Sequence, residues 1–167
     1  MLIRKQGLSF ATAILFFLSI TLLSGFKTVS QPLPSFKMTL SDNKIFNSSE
    51  LPKGKPLVLI YFDPDCDHCQ ILMNEFFKKI NSFIKTEIVL ITFKPVAELA
   101  AFEKKYSTQK FSNMKVGTEG TGFYVRNHFN LMTMPFTALY DKKRNLNYSY
   151  RKETSVDDLI NRLKKLK

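Results

Sequence analysis

The chain contains two cysteines, Cys66 and Cys69, set two residues apart in the run Asp65-Cys66-Asp67-His68-Cys69. A disulfide between them would close almost no loop, so the chain-entropy argument gives it little stabilising effect. A structural framework would need further pairs, spread along the chain. Two sulfurs so placed suit chemistry instead: reversible disulfide formation, or capture of a soft metal. Their neighbours bear on either one. A protonated or hydrogen-bonding His68 favours a thiolate at Cys66, whereas the carboxylates of Asp65 and Asp67 disfavour it.

Cys66, Cys69, His68 and Asp65 are all metal-ligating types, but residues this close rarely converge on one tetrahedral centre. No second ligand pair stands at zinc-finger spacing, and His128 is the only other histidine. Covalent haem attachment is excluded because Gln70 follows Cys69 where a histidine is required. The residues therefore predict redox chemistry with no metal, and no cofactor beyond the Cys66–Cys69 disulfide itself.

Such a pair needs a strand to deliver it and a helix to activate it. Leu57-Val-Leu-Ile-Tyr-Phe62 is an uninterrupted apolar run of strand length, suited to a strand buried on both faces. From Cys69 onward, Ile71, Leu72, Phe76, Phe77, Ile80, Phe83 and Ile84 fall at helical spacing. The first thiol then sits at a helix N-terminus, where unpaired N–H groups and the helix dipole stabilise the thiolate. That makes Cys66 the attacking thiol and Cys69 the resolving one.

The elements beyond follow the same reasoning. Phe36 to Leu40 and Ile45-Phe46 read as a hairpin around Ser41-Asp42-Asn43, preceded by an extended linker, Gln31-Pro-Leu-Pro34. Ser48 or Ser49 is placed to cap one helical turn. Glu87 to Phe93 is a second buried strand, and Pro95 opens a helix reaching about Tyr106. A helix is predicted over 119–127. Phe136 to Tyr140 and Leu146 to Arg151 form an antiparallel pair around Asp141 to Asn145. Thr154 or Ser155 caps a closing helix that buries Val156, Leu159, Ile160, Leu163 and Leu166. This order describes an α/β domain with a mixed sheet.

Residues 1–30 carry Arg4 and Lys5, then an apolar run from about Phe10 to Leu23, with no acid before Asp42. This is the pattern of a signal peptide or an N-terminal membrane anchor, and it predicts an exported domain over residues 31–167. Uncleaved, residues 1–26 would tether it, with the N-terminus cytoplasmic and the domain on the periplasmic or extracellular side. The net charge is +11. The Lys and Arg residues are scattered, with short clusters at Lys142-Lys143-Arg144 and Lys164-Lys165, and no nucleic-acid-binding signature accompanies them.

From about Phe36 onward the chain resembles the thioredoxin superfamily, and within it the exported TlpA-like thiol–disulfide oxidoreductases and their AhpC/TSA-related, peroxiredoxin-like relatives. The resemblance rests on Ser35-Phe36-x-Met38-Thr39-Leu40, on Leu57 to Phe62 with Asp63-Pro-Asp-Cys66-Asp-His-Cys69, on Met134-Pro135-Phe136-Thr137, and on the final hairpin and helix. It implies a thioredoxin fold, a central mixed sheet flanked by helices with an N-terminal β-hairpin extension. It also implies a cis Pro135 facing the disulfide, with the Met134 backbone free to pair with an extended substrate chain. Disulfide or dithiol proteins would be the substrates and a thiol protein the electron donor, with reduction as the favoured direction.

Three residues depart from the family pattern. Asp65 replaces the usual tryptophan before the first cysteine. Ile60 stands where thioredoxins carry a buried acid that serves the resolving thiol, so that proton must go elsewhere. Asp63 stands where peroxiredoxins have threonine, which weakens the alternative of a peroxide reductase. A non-catalytic copper- or thiol-binding module is the reading from a different class.

Overall fold

The computed structural model describes residues 31–166, so the signal or anchor reading of residues 1–30 lies outside the described residues. Seven strands form one mixed sheet: β1 Lys37–Thr39, β2 Ile45–Asn47, β3 Leu57–Tyr61, β4 Glu87–Thr92, β5 Met114–Thr118, β6 Phe136–Tyr140 and β7 Leu146–Arg151. Their order across the sheet is β2-β1-β5-β4-β3-β6-β7. β3, β4 and β5 run parallel, while β6 lies antiparallel to β3 and β7 antiparallel to β6. The helices are α1 Asp67–Lys78, α2 Val96–Tyr106, α3 Tyr124–His128 and α4 Val156–Lys165.

Strand alternation sorts the apolar runs into two cores. Val58, Ile60 and Phe62 face one side, against Leu72, Met73 and Phe76 of α1, Leu99 and Phe102 of α2, and Leu159 and Leu163 of α4. Leu57, Leu59 and Tyr61 face the other, with Val125 of α3, Phe129, Leu131 and the β1–β2 hairpin residues Met38 and Phe46. Helices on both faces are why β3 and β4 read as continuous hydrophobic runs. The hairpin extension joins the sheet through Thr39 opposite Thr118.

Several expectations are corrected. β5 is absent from the sequence reading, because Lys115 and Gly117 interrupt its apolar pattern. Gly117 is there for packing: a Cβ at this position would lie 2.6 Å from Met38 Cγ. The predicted helix over 119–127 shrinks to Tyr124–His128, preceded by a single 3₁₀ turn. α1 ends at Lys78, and its buried stripe is Cys69, Leu72, Met73 and Phe76, while Ile71 is 65% exposed and Ile84 lies beyond the helix at 66%. The turn after β2 is capped at Asn47, whose N–H donates to Glu50 Oε1 at 2.7 Å.

The Gln31–Pro34 linker is held to the domain: Leu33 N–H donates to Arg144 O and Leu146 N–H to Gln31 O. Arg144, read as part of a basic surface cluster, is buried, and its guanidinium binds the carbonyls of Lys55 and Pro52. Ser155 caps α4 by accepting from Asp158 N–H at 3.3 Å. Among the described residues no helix is long and apolar enough to cross a membrane.

Candidate active site

β3 ends at Tyr61 and the chain turns through Asp63-Pro64-Asp65 into α1. That turn is tightly made. Asp65 N–H donates to Asp63 Oδ1 at 2.9 Å, Cys66 N–H to Asp63 O at 3.2 Å, and Gln70 Nε2 to Pro64 O at 2.9 Å. Cys66 is thereby the N-cap residue of α1. An N-cap side chain is placed to accept from the free N–H groups of the first turn, here those of Asp67, His68 and Cys69. The Cys66 thiol makes no such capping bond here, and it is the positive end of the helix dipole that favours a thiolate at this position.

The two sulfurs, both thiols in this structure, differ sharply in environment. Cys66 is partly exposed, while Cys69 is 1% exposed. Burial pushes the Cys69 thiol up to about 12; the adjoining Cys66 and the charge of Asp63 add to this, and a hydrogen bond from Asp63 N–H opposes it. That N–H donates to Cys69 Sγ across 3.5 Å.

Facing Cys66, the Met134–Pro135 bond is cis, as the resemblance implies. Cys66 Sγ donates to Met134 O over a long 3.9 Å. Pro135 is buried, Met134 is half-buried and Met132 beside them is 81% exposed. The two sulfurs, Met134 and Pro135 are thus brought together from positions 68 residues apart.

The three polar neighbours are placed differently. Asp67 and His68 are exposed on the first turn of α1, and neither side chain makes a hydrogen bond or ion pair with another described residue. Asp65 pairs with Lys94, with 2.5 Å between its Oδ2 and the Lys94 Nζ. Lys94 also lies 3.6 Å from Asp63 and 3.6 Å from Glu98, and these carboxylates raise its pKa.

This Lys94 cluster is absent from the sequence reading. The signal that finds it is topological. β3 and β4 are adjacent parallel strands, so the residues leaving their C-terminal ends, Asp63 to Asp65 and Phe93 to Pro95, share one crevice. Among the described residues no group of three or more His, Cys, Asp or Glu side chains is arranged to hold a metal ion. His128 is exposed, edge-on to Phe129 at 4.7 Å.

A Cys-x-x-Cys pair capping the helix after a central strand, with a cis-proline opposite, defines a thioredoxin-fold thiol–disulfide oxidoreductase. The chain belongs to the AhpC/TSA family, whose model matches residues 29–162. Among solved structures it is similar to MTB dsbF, at 25% identity, covering 79% of this chain and 95% of that one with a TM-score of 0.66. A secreted Mycobacterium tuberculosis disulfide oxidoreductase homologous to E. coli DsbE shares the fold at 20% identity, 78% and 96% coverage and a TM-score of 0.65. A thiol:disulfide interchange protein of the thioredoxin family from Chlorobium tepidum TLS does so at 17% identity, 84% and 98% coverage and a TM-score of 0.67. No curated protein matches the chain.

Proposed function

We propose that the chain exchanges disulfides with protein substrates outside the cytoplasm through Cys66 and Cys69, working as a reductase. The observation that carries this is the asymmetry of the pair: an accessible sulfur at a helix N-terminus and a buried thiol held protonated behind it. The Cys66 thiolate attacks a substrate disulfide, forming a mixed disulfide and expelling one substrate thiolate. Cys69 then attacks Cys66 Sγ, expelling the second substrate thiolate and leaving Cys66–Cys69 oxidised by two electrons. A thiol protein must supply two electrons to restore the dithiol.

Met134 and Pro135 form the substrate side of the site. An extended chain laid against the Met134 backbone would carry its cysteine to Cys66. The long contact from Cys66 Sγ to Met134 O is weak enough for a substrate N–H to displace. Asp65 is neutralised by Lys94, so it opposes the Cys66 thiolate less than its place in the sequence implies. His68 and Asp67 tune the same sulfur from the exposed first turn. The redox pair serves without a further cofactor.

Export is supported by Arg4 and Lys5 with the apolar run from Phe10 to Leu23, and by the likeness to a secreted Mycobacterium tuberculosis disulfide oxidoreductase. Reduction as the direction rests on the family resemblance. The test is the reduction potential of the pair, titrated against glutathione buffers. A value close to that of reducing thioredoxins, about −270 mV, supports a reductase. A value close to that of strong oxidants, about −120 mV, reverses the direction. Failure to form the Cys66–Cys69 disulfide at all overturns the reading.

A further inference from the structure

The strand register gives the domain two ends of opposite character. Tyr61 pairs with Phe136 at the end that carries Cys66 and Pro135, and Leu57 pairs with Tyr140 at the other. These two ends of β3 are roughly 13 Å apart, before the loops at each are counted. Around the redox pair stand the carboxylates of Asp63, Asp65, Asp67 and Glu98, with Lys94 bound to three of them.

The far end is basic. Lys53 and Lys55 precede β3, Lys85 precedes β4, and Lys142 and Lys143 lie in the turn between β6 and β7. All of them are exposed. Gly54 N–H donates to Lys142 O at 3.3 Å, and the buried Arg144 guanidinium holds the carbonyls of Pro52 and Lys55, so two of these loops are locked together. β4 starts beside β3 with Glu87 opposite Leu57, which brings Lys85 to the same end. Lys164 of α4 joins them, lining one cavity with Lys85 and with Ile84, which is 66% exposed.

Two acids at this end are already engaged. Glu87 is buried and pairs with Lys55 at 3.0 Å. Asp141 accepts from Lys143 N–H and from Asn145 N–H, each at 2.8 Å, so its charge is taken up by the turn. Lys53, Lys85, Lys142 and Lys143 make no ion pair with the described residues.

The chain also enters the domain here. Leu146 N–H donates to Gln31 O at 2.8 Å and Leu33 N–H to Arg144 O at 2.9 Å, which pins Gln31 against the same turn. In the sequence the apolar run ends no later than Phe26, five residues before Gln31. Five residues reach at most about 18 Å. A chain anchored through that run therefore keeps its basic end next to the bilayer.

We propose that this end is a membrane-facing surface, on which Lys53, Lys85, Lys142 and Lys143 meet anionic lipid headgroups while Cys66 and Pro135 face away toward protein substrates. The inference rests on residues 1–30 acting as an uncleaved anchor, and it goes beyond the redox reading of the cysteines. Tether and charge act together. The tether holds the lysines at high effective concentration over the headgroups, and each lysine close to an anionic surface strengthens the contact about fivefold. Ile84, exposed beside Lys85, is placed to rest at the headgroup boundary.

The test uses the full chain in vesicles of phosphatidylcholine, either alone or with about 30% phosphatidylglycerol. A membrane-impermeant acetylating reagent is added, and mass spectrometry follows each lysine. Lys37 and Lys152 serve as references: both are exposed, and Lys152 N–H donates to Pro135 O at the redox end. Relative to them, Lys53, Lys85, Lys142 and Lys143 should react about fivefold more slowly in the anionic vesicles than in the neutral ones. The difference should vanish at about 1 M salt, where the screening length falls to about 3 Å. Lys142→Gln with Lys143→Gln should bring Lys53 and Lys85 to within about twofold of their neutral-lipid rates.

Equal labelling in the two lipids overturns the proposal, as does protection of Lys37 and Lys152 in place of the basic end. Protection that survives the double substitution undiminished overturns it too. A full chain that alkaline carbonate strips from the vesicles fails the anchor reading and takes the proposal with it, whereas a retained chain labelled alike in both lipids fails the surface alone. Turnover of a disulfide substrate in the same vesicles tests the redox reading separately, because the substituted lysines lie at the opposite end from Cys66.

Discussion

Asp63 donates its backbone N–H to Cys69 Sγ across 3.5 Å, and the charge of its carboxylate bears on the same sulfur. One residue thus fixes the position of the resolving sulfur and brings negative charge beside it. The bond is possible because Asp63 is the second residue beyond the end of β3 and Cys69 is in the first turn of α1, so the connecting loop folds the helix back over the strand end. Burial and this charge together keep the sulfur protonated until it is needed.

That protonation has a consequence for stability. A thiol that loses its proton near 8.5 when unfolded, but near 12 when folded, stabilises the fold fully below pH 8.5. Above it the unfolded chain ionises first, so stability falls by about 1.4 kcal/mol per pH unit from this group until about pH 12. In reductant, the stability advantage of the parent over Cys69→Ala should therefore narrow between pH 8.5 and pH 10.5. Urea titrations of the two chains measure it, and a constant gap would contradict the shift.

The asymmetry of the two sulfurs separates their variants. Cys69→Ser should retain attack at Cys66 but stall at the mixed disulfide, which mass spectrometry of the intact chain detects as a substrate adduct. Cys66→Ser should lose turnover almost completely, because the remaining sulfur is 1% exposed and held as a thiol. Adducts accumulating on Cys66→Ser instead would reverse the roles.

The readily legible parts of the fold were those whose pattern is local. The run Leu57 to Phe62 and the stripe Leu72, Met73, Phe76 announce a buried strand and the helix after it, and the cysteine motif lies between them. β5 is illegible because its place in the sheet depends on Met38, far upstream in the chain, filling the room a side chain would take at Gly117. The helix over 119–127 was overlong because Glu119 serves α3 from outside. Its carboxylate accepts from Val125 N–H at 2.8 Å, and Phe123 takes a positive φ of 45° at the helix start. In the site, the sulfurs and Pro135 follow from the motif, whereas Lys94 joins Asp65 from 29 residues away and needs the strand order to be seen.

Gly117 offers a packing test. With a Cβ 2.6 Å from Met38 Cγ and Sδ, and Met38 itself 1% exposed, Gly117→Ala should destabilise the chain by about 1–3 kcal/mol. Met38→Ala should cost about 2–5 kcal/mol through the void it leaves. Combined, the two should cost clearly less than their sum, since the added methyl occupies that void. Additive denaturation midpoints would show that the close approach is relieved elsewhere.

Lys94 gives the last prediction, on redox poise. Its ammonium offsets Asp63, Asp65 and Glu98. Without it, three carboxylates act on Cys66, and neighbouring negative charge disfavours a thiolate. The oxidised form carries no thiolate, so the penalty falls on the reduced form alone. Destabilising the reduced form makes a couple more reducing, and Lys94→Gln should lower the potential by about 10–30 mV. Raising the salt concentration should shrink the difference between parent and variant, because the cluster is partly open to solvent. Equilibration of both chains with glutathione buffers at low and high salt measures both effects. A potential that rises in Lys94→Gln would mean that the carboxylates are turned from Cys66 even without their partner, and that the amides of the first turn of α1 set its charge alone.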